Sequence, residues 1–493
     1  MTAPSTMSSS TEIVPNSHSH PEAANTANTV NSDWLENHPY DELQLGQSAR
    51  LVRTLTQADI AAFAALSGDV NPAHLDPDYA EGTFLHGVVA HGLWSAGLIS
   101  ALLGTQFPGP GTIYLSQTLN FTAPVRIGDT LAVRVTVLEK RSHHNVLLGC
   151  EVNNQRGEGV LRGEALVKAP DRKIRLPRPT LPRMQIFDPD ARLHAFLAPL
   201  ASLPSVRCAV VHPCDMESLR GAVEAAELGL IIPVLIAPRA RLEALAAEGG
   251  LDLTGLQIED VAHSHAAAQR GVAMAAAGEV AALMKGSLHT DELMHEVIHC
   301  AALRTKRRMS HVFHIDAPLH DRPLLITDAA LNIRPDLAAK ADIVANAIEL
   351  AHAMGWACPK VALLSAVETI NEKMISTLDA AALCKMADRG QITGAILDGP
   401  LAFDNAVSLE AAQRKGIRSD VAGQADILVV PDLESGNMLA KQLEYLGGAS
   451  TAGIVLGAKV PIALTSRADG AAARKASAGL VKILAHWFLT HQP

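Results

Sequence analysis

The sequence lacks the features that would direct the chain into a membrane or stabilise it with disulfides. Its six cysteines include no C-x-x-C pair, which argues against both a disulfide scaffold and a cysteine-type zinc site. No Lys or Arg precedes Arg50, so the basic start of a secretory signal and the Arg-rich face of a transit peptide are both missing, and we expect a cytoplasmic location. The most apolar stretch, Leu93–Leu103, is about half the ~20 residues that a bilayer-spanning helix needs, and we expect a helix buried in protein.

Positive charge is also scarce, with 41 Lys and Arg against 51 Asp and Glu, a formal net charge of −10. That balance argues against a nucleic acid or an anionic membrane as the main partner. The chain has 493 residues, of which 48% are hydrophobic and 19% charged. Single cores stop growing at roughly 250 to 300 residues, so we expect a globular protein of at least two folding units.

The pattern along the chain changes three times. Sixteen of the first 32 residues are Ser, Thr or Asn, which predicts a disordered tail over residues 1–40. Residues 41–168 contain a helix signal, with Thr56 and Asp59 in a capping box and Gly68 as C-terminal cap, followed by apolar and polar alternation. This pattern predicts an α+β domain with an antiparallel sheet around one helix. Four prolines and five basic residues in 169–184 predict a stiff linker.

Residues 185–493 alternate short apolar runs with helical stretches. This rhythm predicts an α/β domain with a parallel sheet and helices on both faces. Ligands of such folds bind at the carboxyl ends of strands, so we expect a site where these runs end in polar residues. The predicted strands are Cys208–Val211, Pro233–Ala237, Leu324–Thr327, Val361–Ser365, Ala395–Asp398, Ile427–Val430 and Val460–Thr465.

A carboxylate and an imidazole, those of Asp69 and His74, stand five residues apart across an Asn-Pro turn. Two such groups holding one water can act as a general base and acid pair, which suits addition of water to a double bond. The alternative is structural, with Asp69 capping a turn and His74 beginning the next helix.

This stretch carries a D-x-N-P-x-H motif and resembles the MaoC-like, (R)-specific enoyl-CoA hydratases over about residues 45 to 168. The resemblance implies a hot-dog fold, usually dimeric, in which Asp69 and His74 hold the water and Asn71 binds substrate. It continues through Tyr79-Ala80, Phe84, Val89–Gly92, Pro108–Tyr114, Phe121, Pro124-Val125 and Gly128-Asp129.

By the same resemblance, the amide of Gly92 at the start of the apolar helix faces the thioester oxygen. Hydration of a trans-2-enoyl-CoA places negative charge on that oxygen as water attacks C3, and an N–H at a helix N-terminus stabilises the enolate. Glycine also lets the acyl group approach the backbone. We interpret the nearby His86 and His91 as packing or substrate-shaping residues.

Near the end of the chain, Thr465–Ser466–Arg467 follows an apolar run and precedes a helix. A hydroxyl, a guanidinium and free amides at a helix start suit a phosphate. The alternative is a Ser N-cap beside a surface arginine.

From about Ile186 onward the chain resembles the phosphate acetyl/butyryltransferase family, and looks closer to the butyryltransferases. The reaction of this family is acyl-CoA plus phosphate giving acyl phosphate plus CoA. The resemblance implies that Ser466 donates to the carbonyl oxygen and Arg467 binds phosphate. It assigns substrate-binding roles to Lys285, Asp398, Lys415, Asn437 and Lys441. It is carried by Leu283–Gly286, Ile326–Ala330, Ala366–Glu368, Ala395–Asp404, Val421–Gly423, Pro431–Leu433, Gly436-Asn437, Lys441 and Leu464–Asp469.

One departure from the family concerns the base. The acetyltransferases have a catalytic Asp shortly after the Ser-Arg pair, where this chain has Gly470–Ala473. Asp469 is the available substitute. The alternative is a transferase-like unit that serves as an inactive scaffold or CoA-ester sensor.

Two patterns suggest a metal, and we expect neither to bind one. His295-Glu296-Val297-Ile298-His299 matches H-E-x-x-H of zinc proteases, but it falls inside the transferase-like region and lacks the longer motif. Cys208 and Cys214 bracket His212 and are interpreted as buried thiols.

The sequence thus predicts a bifunctional enzyme, a hot-dog hydratase followed by a phosphate acyltransferase. Acyl-CoA and phosphate are its expected substrates, with no cofactor, no metal, no nucleic acid and no membrane as partners. We expect at least a homodimer, because hot-dog domains commonly complete their acyl pocket with a second copy.

Overall fold

The structure, a computed structural model, describes residues 33–180, 188–465 and 469–491. The chain divides into two compact units, Met1–Ile186 and Phe187–Pro493. Within the described residues, no helix combines the length and apolarity needed to cross a bilayer.

The first unit is an antiparallel sheet packed on one helix, which confirms the predicted α+β class. The order of its main sheet is β2-β5-β6-β7-β3, with β4 beside β7. Its elements are β1 Trp34–Glu36, a 3-10 turn Tyr40–Glu42, β2 Ser48–Thr54, α1 Gln57–Ser67, α2 Pro72–Leu75, α3 Pro77–Glu81, α4 Gly92–Thr105, β3 Ile113–Gln117, β4 Asn120–Phe121, β5 Thr130–Arg141, β6 Asn145–Asn153, β7 Gly159–Lys168 and β8 Arg175–Pro177.

The core of this unit follows directly from alternation in β5. Leu131, Val133, Val135 and Val137 point inward and are buried, as the period of two predicts. They join Ile99 and its neighbours on α4 in one apolar cluster. The capping box of Thr56 and Asp59 and the left-handed Gly68 are present at the two ends of α1.

Helix α4 differs from the expected buried helix. Its Ile99, Leu102 and Leu103 are buried, but Leu93 on another side is 59% exposed. The apolar run is continuous because both sides of the helix are apolar, and one sheet covers only one of them.

The inner ends of the predicted tail and linker pair with each other, whereas residues 1–32 and 181–184 of these two predicted segments lie outside the described residues. Strand β1 pairs antiparallel with β8, so residues 34–36 belong to the folded unit rather than to a tail, and 175–177 are not a free linker. Asn37 is fully buried, and its side chain bonds the carbonyls of Pro110 and Arg172 and the amide of Ile174. Three-residue strands about 140 residues apart carry no periodicity that a local pattern could reveal.

The second unit contains one mixed sheet of 11 strands with helices on both faces. Strand order is β11-β10-β9-β12-β19-β18-β13-β14-β17-β15-β16. Its elements are α5 Pro189–Leu197, a 3-10 turn Ala198–Ser202, β9 Val206–Val211, α6 Met216–Glu227, β10 Ile231–Ala237, α7 Arg239–Gly249, β11 Gln257–Asp260, α8 Ser264–Ala276, β12 Ala282–Lys285, α9 Thr290–His299, a 3-10 turn Ala301–Leu303, β13 Ser310–Asp316, β14 Leu324–Thr327, α10 Leu337–Ala353, β15 Lys360–Leu364, α11 Ile375–Asp388, β16 Ile396–Leu401, α12 Phe403–Val407, α13 Leu409–Arg414, β17 Ile427–Val429, α14 Leu433–Tyr445, β18 Ser450–Leu456, β19 Ile462–Ala463 and α15 Ala471–Thr490.

The α/β class is confirmed, but the centre of the sheet is antiparallel. Strand β13 runs antiparallel to both β14 and β18, and β18 runs antiparallel to β19. Parallel strands therefore form two groups that run in opposite directions on either side of the β13–β18 pair. Apolar runs in the sequence do not reveal this pair, because His311, His314 and Thr451 interrupt them.

The two groups of strands end at the same place. Thr327, the last residue of β14, pairs with Val312, and Val312 pairs with Ile454. Ile454 in turn pairs with Ala463, the last residue of β19. Strands β14 and β19, one from each group, therefore have their carboxyl ends on the same line across the sheet.

We predict that the β1–β8 pairing stabilises the first unit measurably. Replacing Asn37 by Ala leaves three partly buried backbone groups without their partner, which should lower the free energy of unfolding by about 3 kcal/mol. Urea unfolding provides the measurement. The control is Glu36→Ala, which removes only an exposed contact with Lys173 and should cost less than about 1 kcal/mol. Equal effects of the two changes would contradict the assigned role of Asn37.

Candidate functional sites

The loop between α1 and α2 brings the predicted carboxylate and imidazole together. Gly68 ends α1 in the left-handed conformation, and Asn71 begins α2 by accepting the amide of Ala73 on its side chain. One ligand atom from each of Asp69, His74 and a third residue, His91, lies within 4.8 Å of the others. The same grouping offers ligand atoms to water or to a metal ion, so the absence of a metal stays a prediction.

The ring orientation of His74 is set by one hydrogen bond. Its Nδ1 lies 2.8 Å from the carbonyl oxygen of Val89. A carbonyl only accepts, so Nδ1 carries the hydrogen, and in the neutral ring Nε2 keeps a lone pair. His74 is therefore prepared to accept a proton at Nε2.

His91 plays a larger part in this site than the sequence analysis assigned to it. It is buried, its Nε2 donates to the backbone oxygen of Asp69 at 3.0 Å, and its ring centroid is 4.0 Å from that of His74. It thus holds the Asp69 loop and supports the His74 ring. The position of His91 directly before Gly92 was the sequence signal for a role in this site. The sequence alone does not reveal its contact with the Asp69 loop, which lies 22 residues earlier. His86 differs, because its described contact is a backbone one with Arg126.

Gly92 stands at the first turn of α4, and no side chain caps this helix start. A Cβ on Gly92 would lie 3.1 Å from the ring of Phe121, so a larger residue would crowd the approach to the free amides. Asn71 caps α2 with its carbonyl oxygen, which leaves only its amide group for the predicted contact with substrate.

In the second unit, Ser466 and Arg467 lie outside the described residues, but the residue before them is held firmly. Lys285 donates to the carbonyl oxygen of Thr465 at 3.0 Å, and Arg474 donates to its hydroxyl at 2.8 Å. Both cations are buried. The described contacts of Lys285 are backbone oxygens, so its geometry suits positioning of this loop, and a direct role in substrate binding stays a prediction.

A cluster of ionisable groups adjoins the same loop. Asp469 is buried, and its carboxylate lies 3.6 Å from the ammonium of Lys441, which also bonds Glu444 at 2.8 Å. The charges of Asp469 and Lys441 act on His311, which is fully buried on β13. Burial lowers the pKa of His311 to about 4, so this imidazole is neutral at physiological pH.

The carboxyl end of β14 contributes a tightly bonded loop to this region. The Asp328 carboxylate accepts the amides of residues 330 to 332 and the side-chain amide of Asn332. Asn437, predicted to bind substrate, donates to the carbonyl oxygen of Ala329 in this loop. The residues that the sequence analysis drew from β14, α14 and the end of β19 therefore meet in one region.

Two other predicted residues each have contacts of their own. Lys415 bonds the carboxylates of Glu368 and Asp404, which raise its pKa, and Asp398 accepts the next backbone amide, that of Gly399. These contacts do not join the Lys441 cluster, and their substrate roles stay predictions.

The two metal-like patterns are not assembled in the part of the chain that the structure describes. The rings of His295 and His299 lie 4.1 Å apart, but Glu296 approaches His265, at 3.7 Å, and no group of three ligand atoms forms from this motif among the described residues. Burial raises the pKa of Cys208 and of Cys214, which keeps both thiols protonated.

Comparison with known proteins agrees with this division of the chain. Residues 264–475 match the family described as phosphate acetyl/butaryl transferase, and residues 42–155 match the MaoC like domain. A phosphate acetyltransferase of Rhizobium meliloti is 61% identical over 286 residues, which cover 58% of this chain and 90% of that protein. A phosphate butyryltransferase of Clostridium acetobutylicum is 39% identical over 280 residues, which cover 57% of this chain and 93% of that protein.

The chain therefore belongs to the phosphate acetyl/butyryltransferase family and carries a MaoC-like domain in front of the transferase domain. The higher identity to the acetyltransferase corrects the expectation that the chain is closer to the butyryltransferases. An R-hydratase structure from Pseudomonas aeruginosa is 45% identical, covers 31% of this chain and 99% of its own, and superposes with a TM-score of 0.31.

The neutral buried histidines predict how the stability of the transferase domain depends on pH. Burial lowers the pKa of His314 from 6.5 to about 4, so between these values the unfolded chain binds a proton that the folded chain excludes. Stability should fall as the pH drops from about 6.5 towards 4. His314→Phe, which keeps a ring against Phe196, should reduce this decline in denaturant unfolding measured at pH 7 and pH 5.

His289→Phe at an exposed position of the same domain is the matched control and should keep the wild-type decline. An unchanged decline in the His314 variant would show that this ring does not exclude the proton.

Proposed function

We propose that the chain is a bifunctional enzyme of CoA thioesters. Its MaoC-like domain hydrates trans-2-enoyl-CoA reversibly to (R)-3-hydroxyacyl-CoA, and its transferase domain exchanges a short acyl group between CoA and phosphate. The observation that carries the first activity is the grouping of Asp69 and His74 beside the uncapped start of α4. The second activity rests on family membership and on the buried groups that hold the loop before Ser466.

Hydration follows from the hydrogen-bond geometry. A water between the Asp69 carboxylate and Nε2 of His74 loses a proton to Nε2 as its oxygen attacks C3, and the His74 imidazolium returns that proton to C2. The carbonyl oxygen of Val89 stabilises the imidazolium through Nδ1–H. The charge that develops on the thioester oxygen is stabilised by the amide of Gly92.

In acyl transfer, a phosphate oxygen attacks the thioester carbonyl carbon, the C–S bond breaks and CoA leaves as the thiol. Arg467 binds the phosphate and Ser466 donates to the carbonyl oxygen. Asp469 takes the proton of the attacking phosphate hydroxyl and delivers it to the leaving sulfur, and in the reverse direction it moves the proton of the thiol to the phosphate. Its distance of 3.6 Å from Lys441 keeps the carboxylate beside a cation that also attracts phosphate.

The oligomeric state belongs to the same proposal. In a single chain, the MaoC-like domain exposes several large apolar side chains, which a second copy would cover. They are Phe84, Leu93, Ile113, Leu115 and Phe121. We expect at least a dimer by light scattering on the eluted protein, and Leu93→Glu should weaken it. A monomer at micromolar concentration would contradict the expectation.

We predict that the two activities are separable by single substitutions. Asp69→Asn should lower hydration of crotonyl-CoA by at least about 100-fold and leave phosphate-dependent release of CoA from acetyl-CoA or butyryl-CoA intact. Arg467→Ala should lower phosphate-dependent release of CoA and leave hydration of crotonyl-CoA intact. Both reactions are measured on the same purified protein.

Absence of phosphate-dependent CoA release in the wild type would favour the inactive scaffold or sensor. Loss of both activities in one variant would show that the division of labour is wrong.

We also predict that Asp469 carries the proton of the thiol. Asp469→Asn should lower the kcat of acyl transfer by about 100-fold or more, because the amide cannot exchange a proton. Glu444→Gln is the matched control, since Glu444 contacts the same Lys441, and it should change kcat only slightly. Equal losses in the two variants would indicate that both carboxylates act only by placing Lys441.

A further inference from the structure

Asp69, His74 and His91 meet in a group whose donor atoms suit a metal ion. One ligand atom from each lies within 4.8 Å of the other two, and the described residues contain no second group of three such side chains. Two imidazoles and one carboxylate form the ligand set of some zinc enzymes, which keep a fourth position open for water. Imidazole also suits Ni²⁺ and Cu²⁺, whereas Mg²⁺ prefers oxygen ligands. The donor set therefore fits a divalent transition-metal ion.

Both imidazoles have the hydrogen bond that metal-bound histidines usually make. A histidine ligand commonly donates its other ring N–H to a carbonyl or carboxylate oxygen, which fixes the tautomer and the orientation of the ring. Nδ1 of His74 donates to the carbonyl oxygen of Val89 at 2.8 Å, and Nε2 of His91 donates to that of Asp69 at 3.0 Å. In the neutral rings, these two bonds leave the lone pairs on Nε2 of His74 and on Nδ1 of His91.

The lone pair of His91 has no donor to accept from. Its Nδ1 is buried and has no hydrogen-bond partner within the described residues, and the residue as a whole is only 2% exposed. A buried acceptor without a partner costs free energy. A cation at this nitrogen would supply the missing partner.

The carboxylate of Asp69 can complete the group. Asp69 is exposed, and in the part of the chain that the structure describes its carboxylate contacts the amide of Asn71 at 3.3 Å and no cation. Ligand atoms around one tetrahedral zinc ion lie about 3.3 Å apart, so the group has to contract by at most about 1.5 Å. A movement of the exposed Asp69 side chain provides this contraction, while the two histidine rings stay on their carbonyl partners.

We propose that Asp69, His74 and His91 form a binding site for a divalent transition-metal ion, with Zn²⁺ as the expected ion, and that the bound ion blocks hydration by the MaoC-like domain. The proposed hydration itself uses no metal. In that reaction, Nε2 of His74 takes a proton from water and returns it to C2. An ion on Nε2 occupies the lone pair, so the imidazolium cannot form and C2 receives no proton. The inhibition rests on the proposed hydration, whereas binding of the ion does not.

Calorimetric titration of the metal-free, full-length protein with Zn²⁺ tests the site. The wild type should bind one ion with a Kd in the micromolar range or tighter, ahead of weaker binding by other histidines. Asp69→Asn and His91→Gln should each weaken this binding by at least about tenfold, because each removes one of three ligands. Asn has the shape of Asp, so weaker binding in the first variant does not come from a packing defect.

His86→Asn is the matched control and should bind Zn²⁺ as the wild type does. His86 is an exposed histidine of the same segment, and its φ of 51° lies in the left-handed region, which Asn tolerates. The substitution therefore removes one histidine without removing a ligand of the proposed site.

The kinetics of hydration test the inhibition. At a free Zn²⁺ concentration ten times the Kd, about ten elevenths of the sites are filled, so hydration of crotonyl-CoA should slow about tenfold. EDTA should restore the rate, and Mg²⁺ at the same concentration should leave it unchanged. Phosphorolysis by the same protein should keep its rate, which separates this inhibition from general damage. His86→Asn should be inhibited as strongly as the wild type.

The outcomes separate the metal site from the proposed function. Equal Zn²⁺ affinity in the wild type, Asp69→Asn and His91→Gln would refute the site. Hydration that increases with Zn²⁺, or that EDTA abolishes, would overturn the inhibitory role. If the metal-free wild type does not hydrate crotonyl-CoA, the proposed hydration fails, and the titration still decides whether these three residues bind the ion.

Discussion

The antiparallel pairing of β13 with β18 is the constraint on which the transferase domain depends. Because it reverses direction at the centre of the sheet, the parallel strands on its two sides run in opposite directions. In a wholly parallel sheet, carboxyl ends collect at one edge. Here β14 and β19 instead end at one rung, that of Val312 and Ile454, and their polar loops start from it. Asp328, His311 and Asp469 thus approach one another although they lie far apart in sequence.

Both domains use backbone oxygens to orient the titratable and charged groups of their sites. Val89 fixes the tautomer of His74, and the carbonyl of Asp69 holds His91. In the second domain, the backbone carbonyl oxygen of Thr465 likewise accepts a hydrogen bond from Lys285. A backbone acceptor carries no net charge and cannot rotate away, so it orients a titratable group without greatly changing its charge balance.

Local sequence was sufficient for features that local periodicity defines, and insufficient for those that distant pairing defines. The capping box of α1, the inward row of β5 and the pairing of Asp69 with His74 across a short turn were all predicted. The β1–β8 pair, the antiparallel centre of the large sheet and the part played by His91 were not, because each depends on a partner more than 20 residues away.

The β1–β8 pair bears on how this folding unit can be joined to another in one chain. Because Trp34 lies opposite Pro177, the polypeptide enters and leaves the first unit side by side. Folding units whose entry and exit points adjoin can be inserted, moved or removed as modules without disturbing the core. The first and last strands of the hydratase fold therefore pair with each other. Joining this fold to another enzyme requires no rearrangement of the hydrophobic core of either one.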